Sequence, residues 1–164
     1  MKSEQSLPVY ALTIEHETIV LAVYTSANVS LPFYKGDDDP VVNSPRNLKA
    51  LWDTGATHSA ISDRLALEMA LPTEDFARVS TASGILHVPV YLIQVGLPNN
   101  FVFEEIEAVE FAYSIEDDCD PIIGMDVLTQ GDLSLTNFEG KTVFSFRIPS
   151  VNRVDFEMEK ALSC

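Results

Sequence analysis

The chain has 164 residues, 46% of them hydrophobic and 21% charged, a composition that suits one folded domain with its own core and argues against disorder. Ten Lys and Arg stand against 25 Asp and Glu, for a formal net charge of -15, so phosphate backbones and anionic membrane surfaces are repelled and nucleic acid is excluded as an expected partner. There is no run of the roughly 18 to 20 apolar residues that a membrane helix needs, and "MKSEQSLPVY" offers no apolar core of a secretory signal, so the expected compartment is the cytoplasm.

In chain order, most segments read as short strands. "YALTI" (10–14) and "TIVLAVYTS" (18–26) are rich in β-branched and aromatic residues, with "EHE" between them as a hairpin turn that opens a β-meander. "YKGDDDPVVNSPRN" (34–47) collects Gly, Asp, Pro, Asn and Ser and reads as an exposed loop within the domain. "LKALW" is then a strand that ends at Asp53. Ile61, Leu65 and Met69 recur every four residues behind Ser62 and Asp63 and ahead of Pro72, which predicts a short helix over 62–70.

"ARVSTASGILHVPVYLIQVGL" (77–97) has two β-rich arms around Ala82-Ser83-Gly84, a protruding hairpin whose glycine can take the positive φ of a tight turn. "FVFEEIEAVEFA" alternates as a half-buried strand, and "PIIG" is a short buried one. "MDVLTQ" is about one helical turn, and "LSLTNF" and "KTVFSFRI" close the sheet around Glu139-Gly140. Residues 1–150 thus make one domain, and 151–164 a tail that can turn helical over 154–162.

"LWDTGATHSAIS" (51–62) places a carboxylate between an apolar strand and a glycine turn. An Asp-Ser/Thr-Gly tripeptide alone is weak evidence, since chance supplies one in roughly every tenth chain of this length. The context is what counts: two apolar residues before it, Ala56 and hydroxyl residues after it, a Gly-tipped hairpin further on, and "PIIG" followed by a helical turn.

That order resembles the retropepsin family, the single-domain aspartic proteases of retroviruses and their cellular and bacterial relatives, over about residues 10–148. The residues that carry it are Asp53-Thr54-Gly55-Ala56, a flap over 79–91, and "PIIGMDVLTQGDLSLTNF", in which Ile122-Ile123-Gly124 matches the family's hydrophobic-hydrophobic-Gly element. Thr57 after Ala56 and Met125 after Gly124 depart from the retroviral Asp-Arg salt bridge, whereas Gly124-Met125-Asp126 looks like the Gly-x-Asp of pepsin and of cellular members. The helix over 62–70 also fits cellular and bacterial members better.

The resemblance implies a mostly β, retropepsin-like acid-protease half-barrel with a β-hairpin flap, a ψ-type loop and one or two short helices. It implies an aspartic endopeptidase acting on protein or peptide substrates with no metal and no organic cofactor. Amide hydrolysis without a covalent intermediate needs a base for water and an acid for the carbonyl and the departing nitrogen. Two close carboxyls sharing one proton supply both. The chain has a single Asp-Ser/Thr-Gly, so the resemblance implies a homodimer that pairs two copies of Asp53 across a two-fold axis.

Within that picture Thr54 holds the pair rigid, Gly55 makes the turn and frees backbone N–H groups for the carboxylate, and Ala56, Ser83, Gly84, Ile85 and Ile123 contact substrate. Other chemistries have less to stand on. His16, His58 and His87 are dispersed and, with Cys119 and Cys164, lack zinc spacing, Ser59 has no Gly-x-Ser-x-Gly elbow, and "EDDCD" (116–120) reads as a solvated acidic loop. A retropepsin fold kept as a dimerisation or peptide-binding module without turnover is the alternative.

Overall fold

The computed structural model describes residues 8–32, 45–81, 84–115 and 118–158. In chain order it has β1 (Tyr10–His16), β2 (Val23–Ser30), β3 (Arg46–Trp52), β4 (Ala60–Ser62), α1 (Asp63–Glu68), β5 (Asp75–Thr81), β6 (Gly84–Gly96), β7 (Val102–Phe111), β8 (Ile122–Ile123), α2 (Met125–Leu128), β9 (Asp132–Phe138) and β10 (Lys141–Ile148). The fold is mostly β with two short helices, as the sequence implies. No helix among the described residues is long and apolar enough to cross a membrane.

Seven strands run in the order β2-β3-β8-β4-β7-β6-β5, and β2 also pairs with β6, so the sheet curls round on itself and leaves β5 outside as a free edge. A second sheet, β1-β10-β9, lies against it. The two share a core because β10 alternates: Thr142, Phe144, Phe146 and Ile148 are buried, and Phe144 and Phe146 each stand 5.0 Å from the Trp52 ring at the end of β3. Burying each such aromatic is worth about 1.5–3 kcal/mol. The Trp52 indole N–H donates to Thr25 Oγ1 at 3.0 Å, so its one polar atom is also satisfied.

Three expectations are corrected. β1 does not form a hairpin with β2; it pairs along its whole length with β10, placing Ile14 beside Phe144 and Leu12 beside Phe146. The core decides this, because the apolar face of β1 is covered beside those rings, with Tyr10 on the Phe101 ring at 5.2 Å. The second strand accordingly starts at Val23 rather than Thr18, and the segment between is tied to β10 instead, with Val20 N–H donating to Thr142 Oγ1 at 3.1 Å. The acidic run before "PIIG" is not all solvated, since Cys119 and Asp120 are buried while Asp118 is exposed.

The other elements fall near their expected places. Ser62 caps α1, its hydroxyl accepting from Leu65 N–H at 3.0 Å. In the tail, residues 156–158 form a helical turn. Most of the loop at 34–47, residues 116–117 of the acidic run, the end of the tail with Cys164, and Ser83 lie outside the described residues.

Candidate active site

β3 delivers Asp53 to the floor of the site by a crossed arrangement. β8 lies between β3 and β4, parallel to the first (Leu51 beside Ile122, Trp52 beside Ile123) and antiparallel to the second (Ala60 beside Ile122). Residues 53–59, which join β3 to β4, must therefore pass over the end of β8. The backbone locks them there: Asp53 N–H donates to the Ile123 carbonyl at 3.0 Å, and Met125 N–H donates to the Ala56 carbonyl at 2.8 Å.

Asp53 is half-buried at the mouth of this loop. Gly55 N–H donates to its Oδ1 at 2.8 Å, and Ala56 N–H closes the turn onto its carbonyl at 3.3 Å. A Cβ at position 55 would stand 3.1 Å from Asp53 Oδ1, tight against the carboxylate that the turn presents. Thr54 and Gly55 are exposed, and the Thr54 hydroxyl has no hydrogen-bond partner among the described residues. The His58 ring meets the neighbouring Thr57 hydroxyl at 3.0 Å on the surface.

A second set of contacts braces the loop from beneath. Ser59 N–H donates to both Asp126 oxygens (3.0 and 2.9 Å), its hydroxyl donates to Asp126 Oδ1 at 2.8 Å, and the same hydroxyl accepts from Gly124 N–H at 3.1 Å. Asp126 also accepts from Val127 N–H at 3.0 Å. The Ser59 hydroxyl is thus committed to holding the loop on β8 and α2. Gly124 is where they touch: a Cβ there would lie 2.6 Å from both the carbonyl carbon and the oxygen of His58. The Gly-x-Asp pattern at 124–126 was the sequence signal for this brace, but its partner at Ser59 is 67 residues away.

Asp120 makes a parallel brace one layer deeper. It is 4% exposed, accepts from Ser62 N–H at 3.2 Å and from the Ser62 hydroxyl, and donates its own N–H to the Lys49 carbonyl at 2.8 Å. Burial pushes its carboxyl above the usual range, and the two Ser62 hydrogen bonds offset part of that. The base of α1, the end of β8 and the middle of β3 are thereby joined around the loop.

Of the other residues expected at the site, Ile123 is 2% exposed and belongs to the core cluster with Trp52 rather than lining open surface. Gly84 and Ile85 begin β6 at the far end of the hairpin, which is paired in register from Asp75–Val90 to Thr81–Gly84. Gly84 has φ +127°, the left-handed side that the turn requires. Two concavities of the described surface, about 640 Å³ beside the start of β9 and residues 150–154 and about 270 Å³ between β5, β6 and β7, do not include Asp53.

The fold thus presents a carboxylate at the end of a strand, on a loop folded over a crossing strand. The family model described as "gag-polyprotein putative aspartyl protease" matches residues 40–130, and the chain belongs to that family. Among solved structures it is similar to a retropepsin-like aspartic protease from Rickettsia conorii, with a TM-score of 0.52 and 14% identity over 87% of this chain and 98% of that one. The retroviral protease-like domain of Ddi1 from Leishmania major superposes with a TM-score of 0.40 and 14% identity over 79% of this chain and 95% of that one. No curated protein sequence matches the chain.

Proposed function

We propose that the chain is a homodimeric aspartic endopeptidase in which two copies of Asp53 face each other across a two-fold axis. The observation that carries this reading is the solitary carboxylate. Asp53 sits on a loop fixed from several sides, yet the two acids that brace that loop are already engaged, Asp126 with Ser59 and Val127, and Asp120 with Ser62. A second copy is the natural source of the missing partner.

In the dimer the two carboxyls share one proton, because like charges held close cannot both ionise. The ionised Asp53 takes a proton from a water, which attacks the scissile carbonyl while the protonated Asp53 of the other copy donates to its oxygen. The proton then passes to the departing nitrogen as the C–N bond breaks. Gly55 N–H holds one carboxylate oxygen in place, and Thr54, exposed here, bonds across the axis. The β5–β6 hairpin lies over an extended peptide, with Ala56, Ser83, Gly84 and Ile85 against its backbone, and its closure excludes water.

A free edge is available for the second copy. β9 is the outer strand of its sheet, and Leu133, Leu135 and Phe138 on it are 38%, 50% and 75% exposed, an unusual amount of apolar surface for a solvated edge. The reaction needs no metal or organic cofactor, and the compartment we assign is the cytoplasm.

The deciding experiment replaces Asp53. Asp53→Asn keeps the shape and the Gly55 hydrogen bond but cannot act as base or acid. Cleavage of an unfolded test protein should fall by about 10⁴-fold with the circular dichroism spectrum and dimer mass unchanged. Retained activity refutes the assignment.

A further inference from the structure

The β5–β6 hairpin has two unlike faces. Residues directly opposed in an antiparallel pair share a side, and β6 buries Tyr91 and Ile93 in the core. Pro89, His87 and Ile85, with their partners Phe76, Arg78 and Ser80, therefore continue the core-side face beyond the barrel. On the other face Asp75 lies beside Val90, and Glu107 of β7 beside Leu92. Asp75 and Glu107 are thus on the outer face, near the barrel, and Arg78 and His87 are on the inner one. Glu110, aligned with the inner face through Ala108 and Tyr91, is held by the Tyr91 hydroxyl at 2.5 Å.

Arg78 departs from the pattern of the other cations. Arg46 and Arg64 meet Glu68, Lys141 meets Glu15 and Glu17, Arg147 meets Asp132, Arg153 meets Asp155, and Lys49 lies over the Tyr24 ring. Among the described residues, Arg78 alone of the Lys and Arg side chains has no ion pair, hydrogen bond or ring contact. Yet acids outnumber bases 25 to 10 in this chain, so partners are not scarce; the position keeps it apart from them. A guanidinium presents up to five N–H donors in a planar fork shaped for a carboxylate. His87, directly opposite, adds a ring N–H within reach of the same anion, since facing Cβ atoms in such pairs are about 4.5–5.5 Å apart.

We propose that Arg78, assisted by His87, is a specificity-determining residue: it binds a carboxylate of the peptide lying along the inner face of the hairpin and so selects segments with Asp or Glu at that position. The proposal rests on the reading of the hairpin as the cover of a peptide cleft. The net charge of -15 works against acidic peptides at long range, but at physiological ionic strength that field decays over about 8 Å. The fork meets its carboxylate at about 2.8 Å. Contact therefore decides selectivity, and the field only slows encounter.

The test uses the full-length chain with labelled, C-terminally amidated peptides that differ only by Glu or Gln at one scanned position. A third peptide keeps Gln and a free C-terminus, which separates a side-chain carboxylate from an α-carboxylate. Binding is read by fluorescence anisotropy on the Asp53→Asn chain, and cleavage as kcat/KM on the unaltered one. At one position the Glu peptide should bind and be cleaved about five- to tenfold better than the Gln peptide. Arg78→Gln should bring that ratio near one, and Arg78→Glu should turn it in favour of a Lys peptide. Because Arg78 is exposed, neither change threatens the fold.

Equal handling of Glu and Gln peptides at every position, a preference that survives Arg78→Gln, stronger capture of the free C-terminus than of the Glu side chain, or no binding of any peptide overturns the proposal. Arg78-dependent binding of the Glu peptide with no cleavage by the unaltered chain would leave it standing and sink the peptidase reading instead.

Discussion

Two glycines mark the two sides of the candidate cleft, and they are glycine for opposite reasons. Gly124, under the Asp53 loop, has an ordinary extended backbone with φ -97°, but a Cβ there would run into the His58 carbonyl and Ser59 nitrogen. Gly84, at the end of the hairpin, has open space around its missing side chain and a φ of +127°. The floor of the site is specified by packing, and the cover by backbone freedom. A floor of this kind can hold a carboxylate still, which acid-base chemistry requires, whereas the hairpin ends in an edge strand, β5, paired only with β6 among the described residues.

The comparison breaks most visibly at the floor. Gly124→Ala pushes β8 and α2 away from residues 58–59 and strains the Ser59–Asp126 brace, with no flexible side chain to yield. We expect a loss of at least ~3 kcal/mol, read as a drop in the midpoint of chemical denaturation, and no measurable cleavage. A variant as stable as the parent would mean that the backbone contact can relax and that packing does not set the loop.

A smaller effect, of different character, is expected one layer below. Burial raises the Asp120 carboxyl above its unfolded pKa of 3.8, so the protonated form is the one the fold favours. The stability it contributes is complete below 3.8 and is lost as pH rises through the elevated folded value. Asp120→Asn keeps a neutral acceptor for Ser62 and removes that loss. Relative to the parent, the variant should gain stability as pH is raised from about 4 to 7. Denaturation curves at several pH values give the sign directly, and parallel pH dependence of the two chains would contradict it.

What could be read in the sequence was what is local. Asp53-Thr54-Gly55 and the Ser62 cap are each set by neighbouring residues, and the alternation of "KTVFSFRI" survives as the alternating burial of β10. What could not be read depends on partners far along the chain. β1 looked like half of a hairpin because "EHE" can turn, but its apolar face belongs to Phe144 and Phe146, 130 and 134 residues further on. Asp120 looked solvated because its neighbours are acidic, and only the fold brings Ser62 to it. The same holds for Ser59 and Asp126, whose spacing of 67 residues carries no periodic signal.

The smallest effect separates cover from floor. Gly84→Ala places a Cβ in open space but asks alanine to hold φ +127°, which costs on the order of 1–3 kcal/mol if the turn stays as it is. Nothing forces it to stay: the described part of β5 pairs only with β6 and ends at a free sheet edge. The end of the hairpin can therefore relax or fray and shed much of that strain locally, since such segments open with free energies far below that of global unfolding. The thermal midpoint should fall by less than about 4 °C, while amide exchange at 79–81 and 84–87 accelerates and KM for a peptide rises several-fold. A midpoint shift as large as that of Gly124→Ala would show that the hairpin unfolds together with the barrel, and the division between a packed floor and an independent cover would have to be abandoned.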